Sequence, residues 1–221
     1  MDASPQLPPA YKMVAYGGTP IVRCWGRMSV RGLDALPTSG PTLLALNHDS
    51  YWDPIAVAAA TKHHRQLQAL AKESLWHVPV VKWVTTNAGH IPVSRGKGDR
   101  EALAIAEQSL RDGSCIGIFL EGTRSLGREL RARSGLGHLA AAVPEAEIVC
   151  CRVTGTVDVP RLGRRPRIGV EFFRPAGGGM QPGEEPRDFC QRLLDEIRAG
   201  APRDVAGRKH RAAIARGESP G

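Results

Sequence analysis

The order of apolar runs and polar loops predicts an α/β fold, a three-layer α/β/α sandwich with a mainly parallel central sheet behind an N-terminal helical segment. Two observations carry this expectation. Short apolar runs alternate with helix-like stretches, and the runs end in polar loops rich in His, Asp, Glu and Arg. Repeated strand-loop-helix units of this kind build parallel sheets with a site at the strand ends. At 221 residues, the chain has room for one such domain with a sizeable core and is short for two independent ones.

Residues 1–36 form the first segment. From Pro5 to Leu36, Tyr11, Met13, Val14, Ile21, Val22, Trp25 and Met28 mix with Lys12, Arg23, Arg27 and Arg31. That mixture fits helices at a membrane interface, with apolar groups in the headgroup layer and basic groups on lipid phosphates. It fits equally a helical layer covering the core.

Residues 37–199 form the main domain. After the turn Ser39-Gly40-Pro41, Leu43-Leu44-Ala45-Leu46 reads as a short buried strand. It delivers the loop Asn47 to Asp53, and Pro54 suits the first turn of a helix continuing through Ala60. Gln66 to Ala71 and Ile91-Pro92-Val93 read as strands, the second ending at Arg95, with a helix-like apolar stretch, Trp76 to Trp83, between them. Gly98-Asp99 opens a helix with Ala102, Leu103, Ala106 and Leu110 on one face, stopped by Gly113. Cys115 to Leu120 is a continuous apolar strand delivering Glu121-Gly122-Thr123-Arg124. Leu136 to Val143 reads as helix, Glu147 to Val153 and Ile168 to Phe173 as strands, and Phe189, Leu193 and Ile197 line one face of a last helix. Residues 200–221 carry small and charged residues without an apolar stripe and read as a flexible basic tail.

The formal charge of +8 calls for an anionic partner: nucleic acid, a phospholipid surface or a small phosphorylated molecule. With aromatics at 5% and neither zinc-finger spacing nor an RNP-like segment, no nucleic acid is expected. No stretch approaches the roughly 20 apolar residues a spanning helix needs. Met1-Asp2-Ala3-Ser4-Pro5-Gln6 has no basic stretch leading into an apolar one, so no secretory signal and a cytoplasmic location are expected. Five cysteines without a C-x-x-C pair suggest reduced thiols, with Cys150 and Cys151 on opposite faces of a strand. His63-His64 and the trio His48, Asp49 and Asp53 complete no recognisable metal set.

His48 and Asp53, five apart across a strand-to-helix loop, can set a carboxylate against one imidazole nitrogen and leave the other free to take a proton near neutral pH. The plainer reading makes Asp53 a helix N-cap and His48 a loop histidine. Gly122, Thr123 and Arg124 offer a turn, a hydroxyl and a guanidinium for a phosphate, or form an ordinary polar turn. Arg95 is a third candidate at the same edge, and Arg161, Arg164, Arg165 and Arg167 form a basic run suited to headgroup or carrier phosphates. Gly135 to Ala140 matches a loose dinucleotide fingerprint without a buried strand before it and is read as a helix start.

Together these segments resemble the PlsC-like lysophospholipid acyltransferase family. Its H-x4-D motif resembles Asn47-His48 through Asp53, its second block Gly89 to Arg95, and its third, commonly F-P-E-G-T-R-S, resembles Phe119 to Ser125. The resemblance spans roughly residues 30–155 and implies a glycerolphosphate-acyltransferase-like fold. It implies His48 as general base, Asp53 as its orienting partner, and Arg95, Glu121, Gly122, Thr123 and Arg124 as the residues binding the acceptor. The implied reaction moves an acyl group from acyl-CoA or acyl carrier protein to the sn-2 hydroxyl of 1-acylglycerol 3-phosphate, with no metal, no cofactor and no acyl-enzyme. The expected setting is the inner face of the cell membrane, on an anionic lipid surface. Another lysolipid or a specialised hydroxyl or amine acceptor, and a non-catalytic binder of anionic membranes or nucleic acid, are the alternatives. Leu120 and Cys150 stand where the family has prolines, at positions expected to shape the acceptor pocket or its backbone.

Overall fold

The structure, a computed structural model, describes residues 8–72, 77, 79–93, 99–160 and 165–203. Among the described residues, seven strands form one sheet: β1 (Ser29–Arg31), β2 (Thr42–Leu46), β3 (Gln68–Lys72), β4 (Ile91–Val93), β5 (Cys115–Phe119), β6 (Glu147–Thr154) and β7 (Gly169–Phe173). Their order is β1-β7-β6-β2-β5-β3-β4, and every neighbouring pair is parallel except β6 with β7. The helices are α1 (Pro9–Thr19), α2 (Asp53–Thr61), α3 (Pro79–Asn87), α4 (Asp99–Arg111), α5 (Gly135–Ala142) and α6 (Pro186–Gly200).

All five residues of β2 are buried, as expected of a central strand covered on both faces. Alternation then divides the core. Leu44 and Leu46 pack with Tyr11 and Ala15 of α1 and with Ala56 and Val57 of α2. Leu43 and Ala45 face the other way, toward Leu110 of α4, Leu136 and Leu139 of α5, and Phe189, Leu193 and Ile197 of α6. Cys150 joins the second cluster and Cys151 the first, so the paired thiols do point to opposite faces. The three-layer sandwich follows from this alternation. Truncating a fully buried residue such as Leu136 to alanine would cost about 2–5 kcal/mol.

Of the first segment, the described residues 8–36 are helical only in part. α1 continues as a π-helical turn, Pro20–Trp25, after which Ser29–Arg31 leaves helix and adds β1 to the sheet edge, parallel to β7. Gly32 makes this possible. At φ 62°, a Cβ on it would lie 2.1 Å from the Phe172 carbonyl oxygen, so only glycine lets the chain come so close to β7.

The two edges of the sheet differ in kind. At the N-terminal edge, the buried Arg65 guanidinium donates to carbonyls of Pro37 (3.2 Å), Gly40 (2.6 Å) and Gly113 (2.6 Å) and to Thr42 Oγ1 (2.8 Å). It ties the turns that precede β2 and β5. The C-terminal edge gathers the loops that leave β2, β5 and β6, and these build the site.

Candidate active site

The loop after β2 is pinned before it reaches the histidine. Asn47 donates to the Val153 carbonyl and accepts from the Val153 N–H, each at 2.8 Å, so its side chain stands in for one more residue of β2·β6 pairing. His48 follows, its ring stacked on Phe119 with centroids 4.2 Å apart. Its Nδ1 lies 2.9 Å from Asp53 Oδ2.

Asp53 is fully buried and saturated with donors. Oδ2 accepts the backbone N–H groups of Asp49 (2.7 Å) and Ser50 (2.8 Å) besides the imidazole, and Oδ1 accepts a short hydrogen bond from Thr156 Oγ1. The N-cap of α2 is Trp52, without a side-chain capping bond, and Asp53 is the first helical residue. Its carboxylate therefore orients the histidine loop rather than capping the helix. With Nδ1–H donating to Asp53, Nε2 carries the free lone pair, and the His48 side chain keeps 16% of its surface open. The arrangement suits general-base chemistry on a hydroxyl.

Glu121, expected among the groups holding the acceptor, points inward. It is 2% exposed, accepts the His48 backbone N–H at 2.9 Å and takes Arg198 Nη2 on both oxygens at 2.6 and 2.7 Å. Arg198 also donates to Asp49, at 2.8 and 3.0 Å, and Asp49 accepts a short hydrogen bond from Ser125 Oγ. Ser125 N–H in turn donates to the His48 carbonyl at 2.8 Å. One guanidinium from α6 thus clamps the loops after β2 and β5 on either side of the histidine. Burial lifts the Glu121 carboxyl above its usual range, with Arg198 pulling it back; burial alone would lower Arg198, but its two carboxylate partners outweigh this and raise it. Both Glu121 oxygens are taken by Arg198 and the His48 N–H, so in this arrangement the carboxylate holds the backbone of the histidine loop.

Gly122, Thr123 and Arg124 do lie on the outside of the turn. Gly122 has φ 68°, and a Cβ there would press to 3.0 Å from Arg133 Cγ. The Arg124 guanidinium lies 3.7 Å over the Tyr51 ring and donates to the Tyr51 hydroxyl at 3.0 Å, which links the two motif loops at the surface. Arg95 lies outside the described residues, as do Arg161, Arg164 and residues 204–221 of the tail.

Leu120 and Cys150 do not line the site. Both are buried between the sheet and α4–α6, and the Leu120 N–H donates to the Leu46 carbonyl at 3.0 Å, a bond proline could not make. Leucine here carries β2·β5 pairing one residue further toward the site. His63 contacts Tyr16, and His64 contacts the Leu36 carbonyl. Among the described residues, no His/Cys/Asp/Glu group could hold a metal ion.

Sequence reasoning missed Arg198 and Thr156, and placed Asn47 and Ser125 in the motifs without giving them a role. Arg198 left one trace: Cys190, Leu194 and Arg198 are four apart on α6 and all buried, so a charge stands where the helical row calls for an apolar residue.

A mainly parallel sheet with an imidazole and a buried carboxylate at its C-terminal edge is an α/β arrangement that can activate a hydroxyl. Comparison with known proteins makes this specific. The acyltransferase family model matches residues 27–160, more than half of the sequence, and the chain belongs to that family. An uncharacterized protein of Mycobacterium tuberculosis is 27% identical over 150 residues, 62% of this chain and 40% of the relative. A 1-acyl-sn-glycerol-3-phosphate acyltransferase of Streptococcus pneumoniae is 26% identical over 153 residues, 68% of this chain and 56% of that protein. The chain thus spans less than half the length of its mycobacterial relatives. In structure it is similar to the 1-acyl-sn-glycerophosphate acyltransferase PlsC of Thermotoga maritima, with TM-score 0.65 and 20% identity over 86% of this chain and 78% of that one. The α/β fold with its N-terminal helix is that of the PlsC-like acyltransferases.

Proposed function

We propose that the chain transfers a fatty acyl group from a thioester, acyl-CoA or acyl carrier protein, to the sn-2 hydroxyl of 1-acylglycerol 3-phosphate, giving phosphatidic acid. One observation carries this reading: the 2.9 Å contact between His48 Nδ1 and the buried Asp53 carboxylate, which leaves Nε2 to take a proton. Nε2 removes the hydroxyl proton as the oxygen attacks the thioester carbonyl. Asp53 stabilises the imidazolium that forms. Collapse of the tetrahedral intermediate breaks the carbon–sulfur bond, and the departing thiolate takes the proton from Nε2. The products are an ester and a free thiol, so the chemistry calls for no metal or cofactor.

Arg124 is the candidate for the acceptor phosphate, its planar fork pre-set by the Tyr51 ring. Membrane association belongs to the same reading. Met13, Tyr16, Ile21 and Trp83 expose apolar surface on α1, its π-helical turn and α3, which packs against α1, and Lys12, Arg23 and Lys82 are exposed on the same elements. Such a face suits an anionic lipid surface, met from the cytoplasmic side. No helix among the described residues is long and apolar enough to cross a membrane.

The test is a purified-protein assay with labelled acyl-CoA and acyl carrier protein against a panel of lysolipids and alcohols, with products identified by mass. Phosphatidic acid as the main product is expected. Acylation only of neutral acceptors would overturn the acceptor and leave acyl transfer standing.

A further inference from the structure

Beside the His48–Asp53 pair lies a cleft of about 270 Å³, lined by Asp49, residues 154–157, Pro202 and Arg203. It shares its walls with the site. Asp49 directly follows His48, and Thr156 donates to Asp53. The volume falls just below the roughly 300–1,000 Å³ of pockets that enclose a whole ligand, so it suits a headgroup rather than a complete lipid.

We propose that this cleft is a phosphate subsite and that Arg203 supplies its cation. Three features point there. Arg203 has a poor partner, since its contact with Glu129 is 3.7 Å long and Glu129 is 86% exposed, the kind of surface pair worth little. Its Nε is enclosed without a hydrogen-bond acceptor among the described residues, so the guanidinium is not fully committed to the protein. The charge balance also needs it. Asp49, Glu121 and Asp53 outnumber the one guanidinium, Arg198, that pairs with two of them, so a phosphate could enter the cleft only beside a further cation. Among the described residues, Arg203 is the cation lining it.

This subsite deepens the proposed function, in which both substrates carry phosphate: the lysolipid on its glycerol, the acyl donor on its carrier. Which of the two Arg203 holds is decided by experiment. The full chain would be assayed as wild type, Arg203→Lys and Arg203→Met with lysophosphatidic acid, with a neutral monoacylglycerol and with acyl-CoA at varied concentration. Separately, binding of glycerol 3-phosphate and of inorganic phosphate would be titrated against full-length His48→Ala with and without Arg203→Met, a readout independent of turnover. Losing a charge-assisted bond should change the preference for the phosphate-bearing acceptor over the neutral one by about tenfold in Arg203→Met, with partial rescue in Arg203→Lys. A tenfold-order rise in the Michaelis constant for acyl-CoA instead would assign the subsite to the donor's phosphate. If phosphate binds in an Arg203-dependent way while wild type turns over no lysophosphatidic acid, the subsite stands and the proposed acceptor falls. Unchanged phosphate binding together with unchanged Michaelis constants for both substrates would overturn the subsite.

Discussion

The two edges of the sheet each hold a buried arginine and a histidine, and they use them in opposite ways. At the N-terminal edge, Arg65 meets carbonyls and a hydroxyl, and His90 Nδ1 accepts the Ala69 N–H at 3.0 Å. Among the described residues neither group hydrogen-bonds to a carboxylate, Glu147 acting on Arg65 only through space, and apart from the Thr42 hydroxyl the partners are backbone that the fold must satisfy in any case. Burial lowers the His90 pKa to about 4, so this imidazole stays neutral across the physiological range. At the C-terminal edge, Arg198 and His48 meet carboxylates, and the donors around them converge on Asp53, Asp49 and Glu121. One edge closes the backbone's hydrogen bonds. The other holds charge in place around the imidazole proposed to gain and lose a proton.

The two histidines should differ most under substitution. His48→Ala should lower turnover by at least about a hundredfold while leaving the far-UV spectrum and unfolding midpoint near wild type, in line with the usual contribution of a general base. A folded His48→Ala protein with near-wild-type turnover would remove the functional edge altogether. Asp53→Asn should also lose activity, because its amide accepts hydrogen bonds but cannot stabilise imidazolium.

The arginines sharpen it next. Arg198→Met leaves two buried carboxylates without their cation and should cost about 3–5 kcal/mol in denaturant unfolding, together with turnover in whatever fraction stays folded. Arg65→Met leaves carbonyls and a hydroxyl unpaired. It should cost less, about 1–3 kcal/mol, with turnover per folded molecule preserved. If Arg65→Met lowers turnover as deeply as Arg198→Met does, the division between edges is wrong.

The mildest test is pH. His90 titrates near 6.5 when unfolded and near 4 when folded, so between those values the unfolded chain binds a proton that the folded chain does not. Stability from this group is therefore complete above about pH 6.5 and is lost as pH falls toward 4, by up to about 3 kcal/mol. In His90→Gln, the slope of stability against pH in that window should flatten. An unchanged slope would show that His90 is not the group responsible.

Sequence pattern alone set much of the fold, because it rests on local rules. Continuous apolar runs became the buried strands β2 and β5, the 3.6-residue stripes became α4 and α6, and Pro54 lies in the first turn of α2. The pairing of His48 with Asp53 was legible too, since five residues across a strand-to-helix turn leave few places for the carboxylate to go. The edge strand β1 was not, because three residues, two of them exposed, are too few to show a period and owe their pairing to Gly32 lying against Phe172. The inward turn of Glu121 was equally hidden. A Glu before Gly-Thr-Arg reads as part of a phosphate loop until Arg198, 77 residues away, arrives from α6 to claim it. Local spacing determines which side chains can meet within a loop; which charge is neutralised, and so which group is left facing substrate, depends on partners that only the packed layers bring together.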